Sequence, residues 1–253
     1  MSEKAGGKKV TVVMPALNAE KTLASMVAEI PSGWVDEIIV VDDHSADGTV
    51  AAARELGLNV VWHPHTAGYG ANQKTCYIEA LRHEADVVVM LHPDGQYEPS
   101  LIPDLIAPIV TDGADLVLGS RMMVPGAARS AGMPLYKRAA NRFLTTIENS
   151  VMRTDLSDLH TGYRAYSKRL LLEVPFLRNA IDFSFDSEML MQTAHLGLKI
   201  TEVPANTRYW DDASSISLKP ATIYGLKTLR AAARLVLHRI GLRSRIYVRA
   251  GER

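Results

Sequence analysis

The sequence predicts an open α/β fold with a mostly parallel sheet, and three observations predict it. Short, continuous Val/Ile/Leu runs recur through the first half, helix-patterned segments separate them, and polar clusters follow several runs directly. Continuous apolar runs suit strands covered on both faces, as in parallel sheets flanked by helices. The runs are 10–14, 37–41, 59–62, 87–91 and 116–118, and the segments 19–30, 47–57, 69–84 and 99–112 between them read as helices.

Beyond residue 120 the alternation breaks down. Segment 134–153 reads as a helix opened by Pro134, with Leu135, Ala139, Phe143, Ile147 and Val151 at four-residue spacing. Residues 158–164 read as a polar loop, 186–197 as a short helix, 199–203 as a strand, and the last helix is expected from Pro220, a residue suited to a first turn. On that helix Leu226, Leu229, Ala233, Val236, Leu237 and Ile240 share an apolar face, beside a stripe of Lys227, Arg230, Arg234 and His238. Two readings stand for it: a surface helix packed on the core, or a helix docked on an anionic membrane surface. The expected organisation is a disordered start over 1–8, one domain over 9–216, and a basic amphipathic helix with a tail over 217–253.

Composition limits the partners. The 28 basic residues cancel the 28 acidic ones, so no global charge draws the chain to nucleic acid, and none is expected as a partner. The lone Cys76 excludes an internal disulfide and reads as a small buried residue. The polar first ten residues hold no apolar core for a signal peptide, and no run of eighteen apolar residues occurs. A cytoplasmic protein is expected, with peripheral membrane contact left open.

In open α/β sheets ligands bind beyond the carboxyl ends of the strands. Here the first run ends in Met14-Pro15-Ala16-Leu17-Asn18, the second in Asp42-Asp43-His44-Ser45-Ala46-Asp47-Gly48-Thr49, and the fourth in His92-Pro93-Asp94-Gly95-Gln96. Paired carboxylates directly after four apolar residues are costly unless they meet donors or a ligand. The Gly-x-Gly-x-x-Gly and Gly-x-x-x-x-Gly-Lys-Ser/Thr loops are both missing, which lowers dinucleotide redox chemistry and P-loop hydrolysis. Gly68-Tyr69-Gly70 reads equally as a turn or a close-approach loop.

The succession 12–20, 40–49, 92–97 and Gly119-Ser120-Arg121 resembles inverting family 2 glycosyltransferases of GT-A fold, closest to the dolichyl- and polyprenyl-phosphate mannosyl- and glucosyltransferases. The resemblance covers about residues 9–220 in order. It implies a nucleotide-sugar donor, UDP- or GDP-linked, and a divalent metal, Mg²⁺ or Mn²⁺. Asp42 is implied at the nucleotide base with Pro15 and Leu17 lining its pocket, and Asp43 as a secondary choice. Ser45 is expected to be a turn or cap residue, and Glu20 to be solvated. The family's Asp-x-Asp is His92-Pro93-Asp94 here, so metal ligation falls on Asp94, with Gln96 and His92 as further candidates. An imidazole ligand would tilt the preference toward Mn²⁺.

Arg121 is implied as a phosphate contact, with a surface ion pair as the alternative. Segment 158–164 resembles the family's acceptor-side loop, with Thr161 and Gly162 at matching positions and Asp158 as a candidate general base. Within Asp186-Ser187-Glu188, Glu188 matches the family's acceptor-side carboxylate better. Arg208 and Ser215 are implied in an arginine-bearing loop over the phosphates, with Lys219 a secondary choice. The expected reaction is a single displacement with inversion onto a polyprenyl phosphate at the cytosolic membrane face, with a glycan or other soluble acceptor as the alternative. A lipid phosphate is already an anionic nucleophile and needs no base. Outside this reading stand a nucleotidyltransferase, disfavoured by Pro15-Ala16-Leu17-Asn18 in place of a Gly-rich loop, and an inactive nucleotide-sugar binding module.

Overall fold

The computed structural model describes residues 5–124, 126–130, 132–207 and 218–251. Seven strands form one sheet: β1 (Val10–Ala16), β2 (Glu37–Asp42), β3 (Asn59–Trp62), β4 (Val87–Met90), β5 (Leu116–Ser120), β6 (Arg164–Ser167) and β7 (Ile200–Pro204). Their order is β3-β2-β1-β4-β6-β5-β7. Only β6 runs against its neighbours, pairing antiparallel with both β4 and β5, while the other pairs are parallel.

The helices are α1 (Glu20–Ala28), α2 (Thr49–Glu55), α3 (Tyr69–Arg82), α4 (Ile102–Thr111), α5 (Ala127–Ser130), α6 (Leu135–Met152), α7 (Lys168–Glu173), α8 (Phe185–His195) and α9 (Leu218–Arg239). The alternation of strand side chains builds two cores. Val12, Met14 and Val40 join Leu23 and Leu105 on one face, whereas Val13, Ile39 and Val41 join Tyr77, Leu190 and Leu235 on the other. Cys76 is fully buried, which pushes its thiol pKa up and leaves it no nucleophilic role.

Three differences from the sequence reading matter. Residues 164–167 form a strand rather than ending a loop, and α7 follows at once, capped by Ser167 Oγ accepting from Leu170 N–H. Ala5 is buried, so ordered packing starts ahead of residue 9. Helix α9 begins at Leu218, which puts Pro220 inside its first turn. Among the described residues no helix is long and apolar enough to cross a membrane.

Candidate active site

The loops after β1 and β2 are stapled to each other at the carboxyl edge of the sheet. Asn18 N–H donates to Ser45 Oγ at 2.8 Å and Asn18 Oδ1 accepts from Ala46 N–H at 2.9 Å. Ala19 N–H donates to Thr49 Oγ1 at 2.8 Å, Glu20 N–H to Asp47 Oδ2 at 3.2 Å, and Gly48 N–H to Glu20 Oε2 at 3.0 Å. Glu20 is therefore exposed yet fastens α1 to the start of α2 rather than being merely solvated. Asn18 and His44 both have positive φ, 54° and 68°, a region few residues other than glycine adopt freely.

This stapling alters the expected nucleotide contacts. Asp42 is fully buried, and its carboxylate accepts from Ser45 N–H at 2.9 Å and from the Ser45 hydroxyl. Ser45 is the turn residue expected. Pro15 is buried inside β1, whereas Leu17 is 53% exposed at the loop crest, so of the two only Leu17 faces open space. Asp43 closes the next loop, accepting from His63 Nδ1 at 2.8 Å, Ala67 N–H at 2.8 Å and Gly68 N–H at 2.9 Å. Burial alone would raise its pKa; those donors outweigh it and hold the carboxyl below its usual value. Asp43 thus clamps its loop. Gly68, at φ +102°, is required for structure, since a Cβ there would come 2.9 Å from the Ile181 carbonyl oxygen.

The loop after β4 lies beside these. Thr22 donates its hydroxyl to the Pro93 carbonyl, tying α1 to the loop, and Asp94 Oδ1 accepts from Gln96 N–H at 3.0 Å around Gly95. The His92 ring is parallel to Tyr69 within 8° at 5.6 Å, with Nε2 3.4 Å from the Tyr69 hydroxyl. Burial lowers the His92 pKa against the opposing charges of Asp94 and Asp186. A neutral imidazole of this kind is a competent metal ligand.

On the acceptor side a network forms that sequence reasoning missed. Tyr69 donates to Asp186 Oδ2 at 2.8 Å, Gln73 Nε2 donates to Asp186 Oδ1 at 3.2 Å, and the buried Arg164 lies 3.5 Å from Asp186. Asp186, not Glu188, is the acid turned toward His92. Glu188 instead accepts from Ala180 N–H at 2.7 Å and pairs with Arg234 at 3.2 Å, with its pKa raised by burial. The only local signal for Asp186 was its place at the start of α8; Tyr69 and Gln73 are more than a hundred residues away from it in the chain.

Two further expectations are corrected by one contact. Asp158 is fully buried, accepting from Arg121 Nε at 2.7 Å, Arg121 Nη2 at 3.0 Å and Asn141 Nδ2 at 2.9 Å. Burial would raise its pKa, but the Arg121 charge and these donors prevail and hold it far below the carboxylate range. Such a carboxylate is a poor proton acceptor near neutral pH, and among the described residues Arg121 pairs with it, the ion-pair alternative of the two readings. Thr161 and Gly162 do reach the site: Gly162 N–H donates to Tyr97 Oη at 3.0 Å, and a Cβ on Gly162 would meet the His92 ring at 3.1 Å. Arg208 and Ser215 lie outside the described residues, as does the Lys219 side chain.

Whether a divalent cation fits is decided by the donor set. Among the described residues no three His, Cys, Asp or Glu side chains converge on one point. Asp94, half-buried at the loop crest, spends one oxygen on Gln96 N–H and keeps lone pairs to spare. One carboxylate, with His92 beside it, suits a cation that takes most of its oxygens from phosphate and water, as Mg²⁺ and Mn²⁺ do at nucleotide sites. The residues fit.

A reversed strand in a mostly parallel sheet, with polar loops gathered at the carboxyl edge, is an α/β architecture of GT-A type. The family described as Glycosyl transferase family 2 matches residues 11–174, and the chain belongs to it. The chain is thus a glycosyltransferase, and several proteins it resembles are named for dolichyl- or polyprenyl-phosphate acceptors. It is 30% identical over 219 residues to the UDP-N-acetylglucosamine–dolichyl-phosphate N-acetylglucosaminyltransferase of Methanococcus voltae, covering 80% of this chain and 86% of that protein. To the polyprenol monophosphomannose synthase of Mycolicibacterium smegmatis it is 28% identical, over 78% of this chain and 76% of that one. Among solved structures it superposes on glucosyl-3-phosphoglycerate synthase from Mycobacterium tuberculosis with a TM-score of 0.67 at 26% identity, covering 95% of this chain and 83% of the other. The UDP complex of that enzyme gives a TM-score of 0.70 at 24% identity, covering 98% of this chain and 88% of the other.

Proposed function

We propose that the protein transfers a hexose from a UDP- or GDP-linked donor to a polyprenyl phosphate at the cytosolic membrane face, with inversion. The observation that carries the choice of acceptor is the state of the acceptor-side acids. Asp158 is locked by Arg121 and Asn141, and Asp186 is engaged by Tyr69, Gln73 and Arg164. A hydroxyl acceptor needs a base to remove its proton, whereas a phosphate monoester arrives as an anion. The names of the lipid-phosphate relatives support the same reading.

In this scheme Leu17 covers the nucleotide base, and the stapled Asn18–Ser45 loops fix its position before the donor arrives. Asp94, with His92 and Gln96, would hold the divalent cation, which supplies charge neutralisation to the departing nucleoside diphosphate. Tyr69 and Gly162 hold the His92 ring between them. Arg208 and Ser215, from the segment ahead of α9, are assigned to the donor and acceptor phosphates.

The helices α6 and α9 pack together and expose Leu135, Tyr136 and Phe143 on one, Ile223 and Leu226 on the other. With Arg142 and Arg230 exposed nearby in sequence, this surface suits peripheral contact with anionic lipid. The test is nucleoside diphosphate release from a panel of UDP- and GDP-hexoses with Mg²⁺ or Mn²⁺, with and without undecaprenyl phosphate. Lipid-stimulated release supports the reading; release indifferent to lipid moves the acceptor to a glycan or other soluble molecule. Donor binding with no release under any condition points to an inactive binding module.

A further inference from the structure

Behind the acceptor-side loop lies a buried chain of polar groups that the reaction as described does not use. Glu148 on α6 is fully buried, and neither carboxylate oxygen has a well-directed hydrogen bond. Among the described residues its ion-pairing partner in reach is His160, whose Nε2 stands 3.1 Å from Oε2 with both side chains at most 8% exposed. The other ring nitrogen, Nδ1, meets the Tyr224 hydroxyl of α9 at 2.7 Å. The His160 carbonyl accepts from Arg121 Nη2 at 2.9 Å, and its N–H donates to Asp158 Oδ1 at 3.2 Å.

A carboxylate buried in this way is a poor investment in stability, since apolar side chains of similar volume pack as well or better there. Its effect is on placement. His160 is pinned from α6 on one nitrogen and from α9 on the other, and the next two residues are Thr161 and Gly162. Gly162 lies so close to the His92 ring that a methyl group could not be inserted between them without displacement. The Thr161–Gly162 loop thus forms one wall of the space that the His92 ring occupies, and its placement limits where that ring can sit.

We infer that Glu148, His160 and Tyr224 are positioning residues, which hold the Thr161–Gly162 loop, and through it His92, in register for transfer. They touch neither substrate nor nucleotide. Misplacement of reacting groups by about 1 Å costs about a hundredfold in rate, and a smaller shift costs correspondingly less.

The test separates placement from folding. The double variant Glu148→Met/His160→Phe replaces the buried pair by apolar groups, and Tyr224→Phe removes only one hydroxyl. Three quantities are measured for each: Tm, the Kd for UDP and GDP by calorimetry, and kcat for nucleoside diphosphate release from the active donor with undecaprenyl phosphate. The expected result is a kcat lowered at least tenfold in the double variant and at least threefold in Tyr224→Phe, with nucleotide Kd within twofold of wild type and Tm unchanged or raised. Wild-type kcat in Tyr224→Phe would overturn the inference, as would nucleotide affinity falling in step with kcat. A double variant that fails to fold leaves the decision with Tyr224→Phe. If the wild type releases diphosphate without lipid, the lipid reading fails while the same comparison among variants stands, because donor hydrolysis is then the rate compared.

Discussion

Replacing Arg121 by alanine distinguishes an ion pair from a phosphate contact. In the structure its guanidinium makes two bonds to Asp158, at 2.7 and 3.0 Å, and a third to the His160 carbonyl at 2.9 Å. Asp158 has no exposure to water, so among the described residues the variant leaves a buried carboxylate with Asn141, the His160 N–H and, at 3.3 Å, the backbone N–H of residue 121 as its donors. Breaking one side of a buried pair costs about 3–5 kcal/mol. For a chain of this size about 2–4 °C of Tm goes with each kcal/mol, so Tm should fall by roughly 6–20 °C. Asp158→Asn keeps the shape, removes the charge that needs a partner, and should cost less. Scanning calorimetry gives the stability, and nucleotide titration below the new Tm gives the affinity. A Tm within about 3 °C of wild type with a large loss of nucleotide affinity would refute the argument and restore Arg121 to the phosphate.

Three other outcomes follow from the site. Asp94→Ala should reduce metal-stimulated diphosphate release at least a hundredfold with little change in Tm, because among the described residues its carboxylate bonds only within its own loop; retained release would move the metal elsewhere. Gly162→Ala should lower kcat about tenfold, since its methyl group would come 3.1 Å from the His92 ring, while circular dichroism stays unchanged; full activity would mean that the ring moves aside without consequence. Asp43 has a depressed pKa, so the stability it contributes is complete above the unfolded value near 3.9 and is lost as pH falls through its folded value. The amide protons of Ala67 and Gly68 should shift together with a midpoint below about 3.9 in NMR spectra, and a midpoint above it would contradict the clamp.

The strands β1, β2 and β4 were legible because burial demands unbroken apolar runs, and the edge strand β3, though partly exposed, was read to the residue at 59–62. β6 was not, because Arg164-Ala-Tyr-Ser167 has no such run. Its place in the sheet comes from pairing with β4 and β5, and Arg164 is satisfied by the Thr161 and Leu159 carbonyls and by Asp186, none of which a local pattern reveals. The stapled loops were legible as polar clusters at strand ends. What each carboxylate does there was not: Asp42 and Asp43 share a motif, yet one is spent on a turn and the other on a loop clamp. That Asp186 rather than Glu188 faces Tyr69 was not legible either, since it depends on how α8 rests against α3.

The reversed strand has an architectural consequence. Because β6 runs against β5 with Leu118 beside Arg164, the chain leaves the sheet at Ser120 and re-enters it almost where it left. Everything between, including α5, α6 and the loop that touches His92, is an excursion with both feet on the same edge. Such an excursion can lengthen, shorten or change its outer surface while the nucleotide half of the sheet keeps its register. The fold thereby separates inheritance from adaptation: one donor-handling platform can be refitted to new acceptors by exchanging a single continuous stretch of chain.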